Sequence, residues 1–157
     1  MKYRDLVSTE IKNSVDYAQA FKLLSEEFTE HKHTSLNFYD YVILVKYKNQ
    51  GVGVMTGMKH LPSKVIITDI VVDEQYRGHG IALKLFERFT QKVKSDGFTY
   101  VMEITPPKNR SANSFYEKIG ASSEMLQVNI LDLDIGIPII KQKEMGLKER
   151  EKRREKE

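Results

Sequence analysis

The chain has no cysteine. Disulfides, thiolate zinc sites and a cysteine-borne acyl-enzyme are therefore excluded, and a reducing compartment fits. No apolar run approaches the length of a membrane span, and the start, Met1-Lys2-Tyr3-Arg4-Asp5, lacks the apolar region of a signal peptide. A cytoplasmic protein with no membrane partner is the expectation. A metal site is also hard to assemble. His31 and His33 stand at an interval that could hold an ion, yet no acidic or cysteine partner lies at ligand spacing. They read as exposed loop histidines, and no metal is expected.

An excess of either charge sign is missing from most of the chain. The 157 residues carry 25 Lys/Arg and 22 Asp/Glu, and residues 141–157 alone hold eight Lys/Arg and five Glu, so the remainder keeps 17 of each. A neutral body offers no electrostatic footprint for nucleic acid. The closing stretch interleaves its signs, which makes a solvated helix or a disordered segment more readily than a grip on a polyanion. The length suits one domain with a sizeable core, placed at 1–141 and followed by a charged tail at 142–157.

What is present centres on residues 70–116. Ile70-Val71-Val72 is an apolar run, Arg77-Gly78-His79-Gly80-Ile81-Ala82 is a glycine-rich turn, and Ala82, Leu85, Phe86, Phe89 and Val93 recur at helical spacing. The order is strand, turn, helix. Glycine allows backbone approaches that a Cβ forbids, and the first turn of a helix has N–H groups without an internal partner and a dipole that favours negative charge. Such a turn can cradle phosphate, or it can be no more than a tight turn. Arg77 adds a side chain suited to a phosphate oxygen. The Gly-Lys-Ser/Thr ending of a mononucleotide loop is missing, and so is the third glycine of a dinucleotide fingerprint.

Arg77 to Ala82, preceded by Ile70-Val71-Val72-Asp73-Glu74-Gln75-Tyr76, resembles the coenzyme A pyrophosphate motif of the GCN5-related N-acetyltransferases. A second block, Asn109-Arg110-Ser111-Ala112-Asn113-Ser114-Phe115-Tyr116-Glu117-Lys118-Ile119-Gly120, is similar to that family's Asn-x-x-Ala-x-x-Leu-Tyr-x-Lys-x-Gly-Phe segment. With both blocks in order and at the usual separation, the chain is identified as a member of the family. The likeness is sharp over residues 64–121 and architectural elsewhere. Ala121 replaces the usual aromatic, and Ala82 the commoner second glycine.

Around these blocks the pattern predicts a first strand over 2–8 and a helix over 15–29 with Tyr17, Phe21, Leu24 and Phe28 on one stripe. Residues 31–40 read as a loop or short helix, which in the family walls the acceptor site. Strands over 41–45 and 52–58, turning at Asn49-Gln50-Gly51, form a hairpin, and a third strand runs over 64–72 after the turn Leu61-Pro62-Ser63. A strand over 100–104 is stopped by Pro106-Pro107. Asn109 caps a helix whose inward stripe is Ala112, Phe115, Tyr116 and Ile119, and last strands fall over 122–131 and 133–141. The fold class is α/β in three layers. With the resemblance it becomes a mixed, mostly antiparallel sheet of about six to seven strands with a splayed central pair, flanked by about four helices.

The resemblance implies acetyl-CoA as co-substrate and an amine acceptor, either a small-molecule amine or polyamine or a protein or peptide N-terminus, acetylated by direct attack in a ternary complex. It implies that the backbone of Ile70, Val71 and Val72 bonds the pantetheine arm, that Arg77, Gly78, His79, Gly80, Ile81 and Ala82 hold the pyrophosphate, and that Asn109 reaches the pantetheine or sulfur. His79 is assigned to binding only. Tyr116 falls on the motif tyrosine, the donor to the leaving sulfur; a thiol of pKa about 8.5 leaves readily, so that proton helps without being indispensable.

An amine of pKa about 10 must lose a proton, and two carboxylates are candidates to take it. Glu103 lies on the strand lining the cleft, and a glutamate serves as base at a similar place in the branch that acetylates ribosomal-protein N-termini, although the gap to Asn109 is one residue longer here. Asp69 is an isolated carboxylate inside Ile66-Ile67-Thr68-Asp69-Ile70-Val71, costly to bury unpaired. Polyamine acetyltransferases carry an acidic pair near there, with Thr68 at the other place in this chain. Two alternatives stay open: a different acyl chain, and a non-catalytic acyl-CoA-binding or regulatory module of the same fold. Homodimers are frequent in the family, often through the late strands.

Overall fold

In the computed structural model, which describes residues 1–27, 35–60 and 62–122, runs rich in β-branched and aromatic residues build the sheet. Strand β1 (Val7–Glu10) pairs antiparallel with β2 (Tyr41–Tyr47), β2 with β3 (Gln50–His60), and β3 with β4 (Lys64–Val72). The short β5 (Tyr100–Met102) joins parallel to β4, giving the order β1-β2-β3-β4-β5. This is the expected mixed, mostly antiparallel α/β architecture, with five strands and three α-helices among the described residues in place of six to seven and four. The expected strands at 122–131 and 133–141, the tail, His31, His33 and Phe28 fall outside the described residues, Ser122 excepted.

Two boundaries differ from the pattern for local reasons. The hairpin turns at Lys48 and Asn49, both at positive φ (49° and 65°), and not at residues 49–51. Two successive residues of that kind make the turn whose twist matches the flanking strands, so Gln50 and Gly51 already belong to β3. At the N-terminus, Tyr3–Asp5 is a 3-10 turn closed by Asp5 Oδ2 accepting from the Lys2 N–H at 3.1 Å, and the first strand begins only at Val7.

Helix α1 (Ser14–Glu27) covers one face of the sheet. Its Ala20, Leu23 and Leu24 join Leu36, Leu44, Val54 and Val71 in one apolar cluster, with Tyr17 and Phe21 half-buried at the flank, so the buried stripe is turned slightly from the expected one. Side chains alternate along a strand, so the neighbours of Val54 on β3 face the other way, toward α2 (Ile81–Ser95). Gly53 and Gly57 lie there without side chains: a Cβ on Gly53 would stand 2.5 Å from Ile81 Cγ2, and one on Gly57 2.6 Å from Phe89 Cζ. These absences let α2 settle directly onto the sheet. It buries Ile81, Leu85, Phe86, Phe89 and Val93, with Ile81 in the place expected of Ala82.

One charged pair is built into this body. The Asp16 side chain is only 3% exposed and pairs with Lys46 of β2, while the Lys12 N–H donates to its other oxygen at 3.2 Å. The hydrogen bond from Lys46 holds the Asp16 carboxyl below the usual range, against the burial that pushes it up. A depressed carboxyl contributes stability that is present above its unfolded-state pKa of about 3.9 and is lost as pH falls through the folded value. Asp16→Asn should therefore flatten the fall of the urea midpoint below about pH 4. An unchanged acid limb in the variant would show that Asp16 does not drive it.

The chain divides after Lys108 into two compact units. In the second, Asn109 caps α3 (Arg110–Lys118), its Oδ1 accepting from the Ala112 N–H at 3.2 Å. Ala112, Phe115 and Tyr116 are half-buried, whereas Ile119 is exposed and does not complete the expected inward stripe.

Candidate active site

The candidate site lies where two parallel strands part. Pairs Lys64–Tyr100, Val65–Val101 and Ile66–Met102 join β4 to β5, and the pairing then ends. On its other edge β4 continues against β3 as far as Val72, but the register slips between Thr56 and Gly57, leaving Thr68 as an extra residue. Such a bulge bends and twists its strand. It sits two residues beyond the last pair with β5, so from Ile67 to Val72 that edge of β4 has no strand partner among the described residues. Ile70, Val71 and Val72 thus lie on a stretch of β4 whose second edge has no strand partner among the described residues, although Val72 O accepts from the Arg77 side chain. The same divergence corrects the expected strand over 100–104: β5 stops at Met102, and Glu103 and Ile104 lie just past its end.

The bulge also sets two successive side chains toward one neighbour. Thr56 Oγ1, fully buried, donates to Asp69 Oδ2 at 2.7 Å and lies 2.6 Å from Thr68 Oγ1. Asp69 is therefore not the unpaired carboxylate its apolar strand implied. A second hydroxyl reaches it, that of Tyr39. Burial, the Asp69 charge and the hydrogen bond between them push the Tyr39 phenol up to about 12, so it keeps its proton and donates. No periodicity or motif marks Tyr39 in the sequence. Glu103 is half-buried; burial raises its carboxyl pKa, and the hydrogen bond donated by the Thr105 hydroxyl pulls the other way.

At the far end of β4, Asp73 caps a 3-10 turn (Glu74–Tyr76) and the glycine turn follows. Gly78 and Gly80 take φ of +80° and +81°, conformations that favour glycine. The first bond of α2 is Lys84 N–H to Gly80 O at 3.0 Å, so the N–H groups of Ile81, Ala82 and Leu83 have no acceptor within the helix, and no side chain caps them. The His79 ring folds back, Nδ1 lying 2.9 Å from Arg77 O. Arg77 Nε donates to Val72 O at 3.1 Å, and its Nη2 stands 3.6 Å from Glu27 Oε2.

Two concavities accompany these features. One of about 420 Å³ opens beside the start of β2 and is lined by Glu10, Tyr17, Asn37, Tyr39, Asp40 and Tyr41 among others. A larger one, about 600 Å³, lies where β1, the start of α1 and the β2–β3 turn meet. Its lining charges Asp16 and Lys46 satisfy each other, and it touches neither β4 nor the glycine turn. Among the described residues no group of three His, Asp or Glu converges as a metal site would need, and no helix is long and apolar enough to cross a membrane.

The acetyltransferase (GNAT) family model matches residues 11–121. The chain belongs to this family. No curated protein matches it. Among solved structures, an aminoglycoside acetyltransferase from an uncultured soil metagenomic sample, in complex with trehalose, superposes with a TM-score of 0.69 at 22% identity, over 83% of this chain and 97% of that one. An acetyltransferase of Trypanosoma brucei gives 0.64 at 22%, over 82% and 100%. The ribosomal-protein-alanine N-acetyltransferase of Brucella melitensis biovar Abortus 2308 gives 0.66 at 16%, over 81% and 99%. At such identities the likeness is one of fold, and it extends over nearly the whole of each neighbour.

This acetyltransferase carries most of its candidate residues on one strand and its two ends. Asp69 and residues 70–72 lie on β4, residues 77–82 follow it, and Glu103 stands where β5 leaves it. Asn109 and Tyr116 belong to the second unit, at the cap and on the body of α3. Acetyl-CoA is the family's co-substrate, and the features in the first unit suit it. The edge of β4 offers alternating donors and acceptors to an amide-bearing arm, and the uncapped start of α2 offers N–H groups to a diphosphate.

Proposed function

We propose that the protein is an N-acetyltransferase that passes the acetyl group of acetyl-CoA to a primary amine by direct attack within a ternary complex. The observation that carries this reading is the edge of β4, released from β5 beyond Ile66 and leading to the uncapped first turn of α2. The backbone of Ile70, Val71 and Val72 binds the pantetheine arm as an added strand would. The turn from Arg77 to Ala82 takes the diphosphate. Arg77 and Glu27 form an exposed pair, worth little in water, so the guanidinium can exchange that carboxylate for a phosphate oxygen.

Acetyl-CoA supplies an activated thioester; the rest is the work of side chains. Glu103 takes the proton of the attacking amine. Its half-buried position raises its pKa toward the working pH, the direction that suits a general base. Asp69 is the second candidate, and its carboxylate is already engaged by the hydroxyls of Thr56 and Tyr39. Tyr116 donates to the departing sulfur, and Asn109 sets the start of its helix.

The acceptor is a primary amine, on a small molecule such as a polyamine or at a protein or peptide N-terminus; the names of the structural neighbours include an aminoglycoside acetyltransferase and a ribosomal-protein-alanine N-acetyltransferase. Free-thiol release from acetyl-CoA, assayed across polyamines, aminoglycosides, amino acids and peptides, tests the reading. Saturable release with one class supports it. Saturable acetyl-CoA binding with no release for any acceptor would replace it with a binding module.

The cradle has its own test. Holding a non-glycine residue at the φ of Gly80 costs about 1–2 kcal/mol, and a Cβ there would stand 2.9 Å from the Tyr3 ring. Gly80→Ala should therefore raise the KM for acetyl-CoA by up to about tenfold as the turn relaxes. An unchanged KM would remove the turn from the binding site.

A further inference from the structure

We propose that Tyr39 binds and orients the acceptor amine, that Asp69 positions it for this through the phenol hydrogen bond, and that the acceptor is an amine bearing at least one further positive charge. The inference rests on the transferase reading and deepens it.

Tyr39 stands at a junction. It lines the 420 Å³ concavity beside the start of β2, while its hydroxyl reaches Asp69 at the bulge of β4, beside the edge that has no strand partner among the described residues. The segment that carries it is pinned on both sides. Before it, the Ser35 Oγ caps the 3-10 turn Leu36–Phe38, the Leu36 N–H donates to the Tyr17 hydroxyl at 3.0 Å, and the Tyr39 N–H closes the turn on Leu36 O at 3.1 Å. After it, Asp40 Oδ2 accepts from the Lys59 N–H at 2.7 Å and β2 begins. The ring is thus presented from a fixed backbone.

The direction of the hydrogen bond decides what the oxygen can do next. An ionised carboxylate only accepts, so Tyr39 must donate to Asp69, and its oxygen is left with lone pairs alone. A lone pair on a fixed oxygen selects an N–H donor, which an amine acceptor supplies. Charge in the concavity points the same way. Its lining includes Asp40, the tyrosines Tyr17, Tyr39 and Tyr41, and Glu10, whose carboxylate is paired with Arg88 at 2.8 Å, so Asp40 is the lining carboxylate without a cationic side chain in a salt bridge among the described residues. The lining cation, Lys92, is engaged by Asp96 at 2.8 Å. Aromatic faces and carboxylates together favour a cation. The volume falls in the range of about 300–1,000 Å³ usual for small-molecule sites.

Steady-state kinetics on the full chain, with acetyl-CoA and spermidine, neamine or benzylamine as acceptor, test this. Tyr39→Phe keeps the ring and removes the oxygen. With the better cationic acceptor it should raise the acceptor KM about 10- to 100-fold and leave the KM for acetyl-CoA unchanged. Asp69→Asn should act similarly, because the amide that replaces the carboxylate can donate to the phenol oxygen and occupy the lone pair the amine needs. The double variant should be no worse than the poorer single one, since both changes act through one oxygen. A merely structural tyrosine would lower the thermal midpoint without splitting the two KM values. If wild type turns over an acceptor but Tyr39→Phe leaves its KM unchanged, the inference fails and the transferase reading stands. A benzylamine KM equal to that of the cationic acceptors overturns the charge requirement. Release of no thiol with any acceptor overturns both readings.

Discussion

Glu103→Gln should lower kcat by about 10²- to 10⁴-fold, the usual contribution of a general base, and leave the KM for acetyl-CoA nearly unchanged. The substitution keeps the size and hydrogen-bonding reach of the side chain, so the Thr105 contact can persist while the proton acceptor is lost. The pH profile separates this from a packing defect. In wild type, kcat should climb as pH rises through the elevated Glu103 pKa, because only the carboxylate can accept the proton. A second rise, near the pKa of about 10 of the amine itself, belongs to the acceptor and should survive in the variant. Loss of the lower limb alone identifies Glu103 as the base. Retention of that limb in Glu103→Gln would place the base elsewhere, with Asp69 next in line.

The same carboxyl bears on stability with the opposite sign to Asp16. Burial raises the Glu103 pKa, so the folded protein holds that proton more tightly than the unfolded chain does. Between the unfolded and folded pKa values the native state binds more protons, and stability falls as pH rises through that window. Above it the half-buried charge is a standing cost. Glu103→Gln removes that cost and should leave the protein no less stable at neutral pH while slowing turnover. A residue that slows the reaction when replaced but does not weaken the fold is the signature of a functional site.

Much of this arrangement is written in local pattern. The recurrence of Leu85, Phe86, Phe89 and Val93 gives α2, the glycines before it give the turn, and the apolar runs give β2, β3 and β4 in order. Where the sequence falls short, the cause is non-local. A helix that starts directly after Gly80 buries Ile81 first, and the apolar Ile81 and Ala82 stand side by side, so phase alone could not choose between them. The bulge at Thr68 depends on the register of β3 against β4, which no single strand encodes. Beside that bulge the pairing of β4 with β5 has ended, Glu103 lies past the strand, and Tyr39 meets Asp69 across 30 residues of chain. Both motif blocks were legible because main-chain geometry fixes their residues; the contact of Tyr39 with Asp69 was not, because it joins a loop to a register slip.

Phe89→Ala should cost about 3–5 kcal/mol of stability, the largest effect expected of any core replacement here. The ring is wholly buried, lies edge-on to Tyr41 at 5.7 Å between centroids, and fills the space that Gly57 leaves open on β3. Total stability for a domain of this size is about 5–15 kcal/mol, so the loss is a large share of it and should appear as a marked fall in the urea midpoint. The partner residue gives a control. Gly57→Ala alone should destabilise by about 1–3 kcal/mol, since its Cβ enters the same ring. Combined with Phe89→Ala it should cost less, because that Cβ now meets emptied volume. Strict additivity would mean the two positions do not share the space. The weakened helix also reports on function, because the first turn of α2 is the proposed seat of the diphosphate. A ligand bound only to the folded state stabilises by about 2.7 kcal/mol at a hundredfold excess over its Kd. Saturating coenzyme A should therefore restore most of the midpoint lost in Phe89→Ala. Failure of coenzyme A to move that midpoint, in a variant that remains folded without denaturant, would separate the glycine turn from the cofactor.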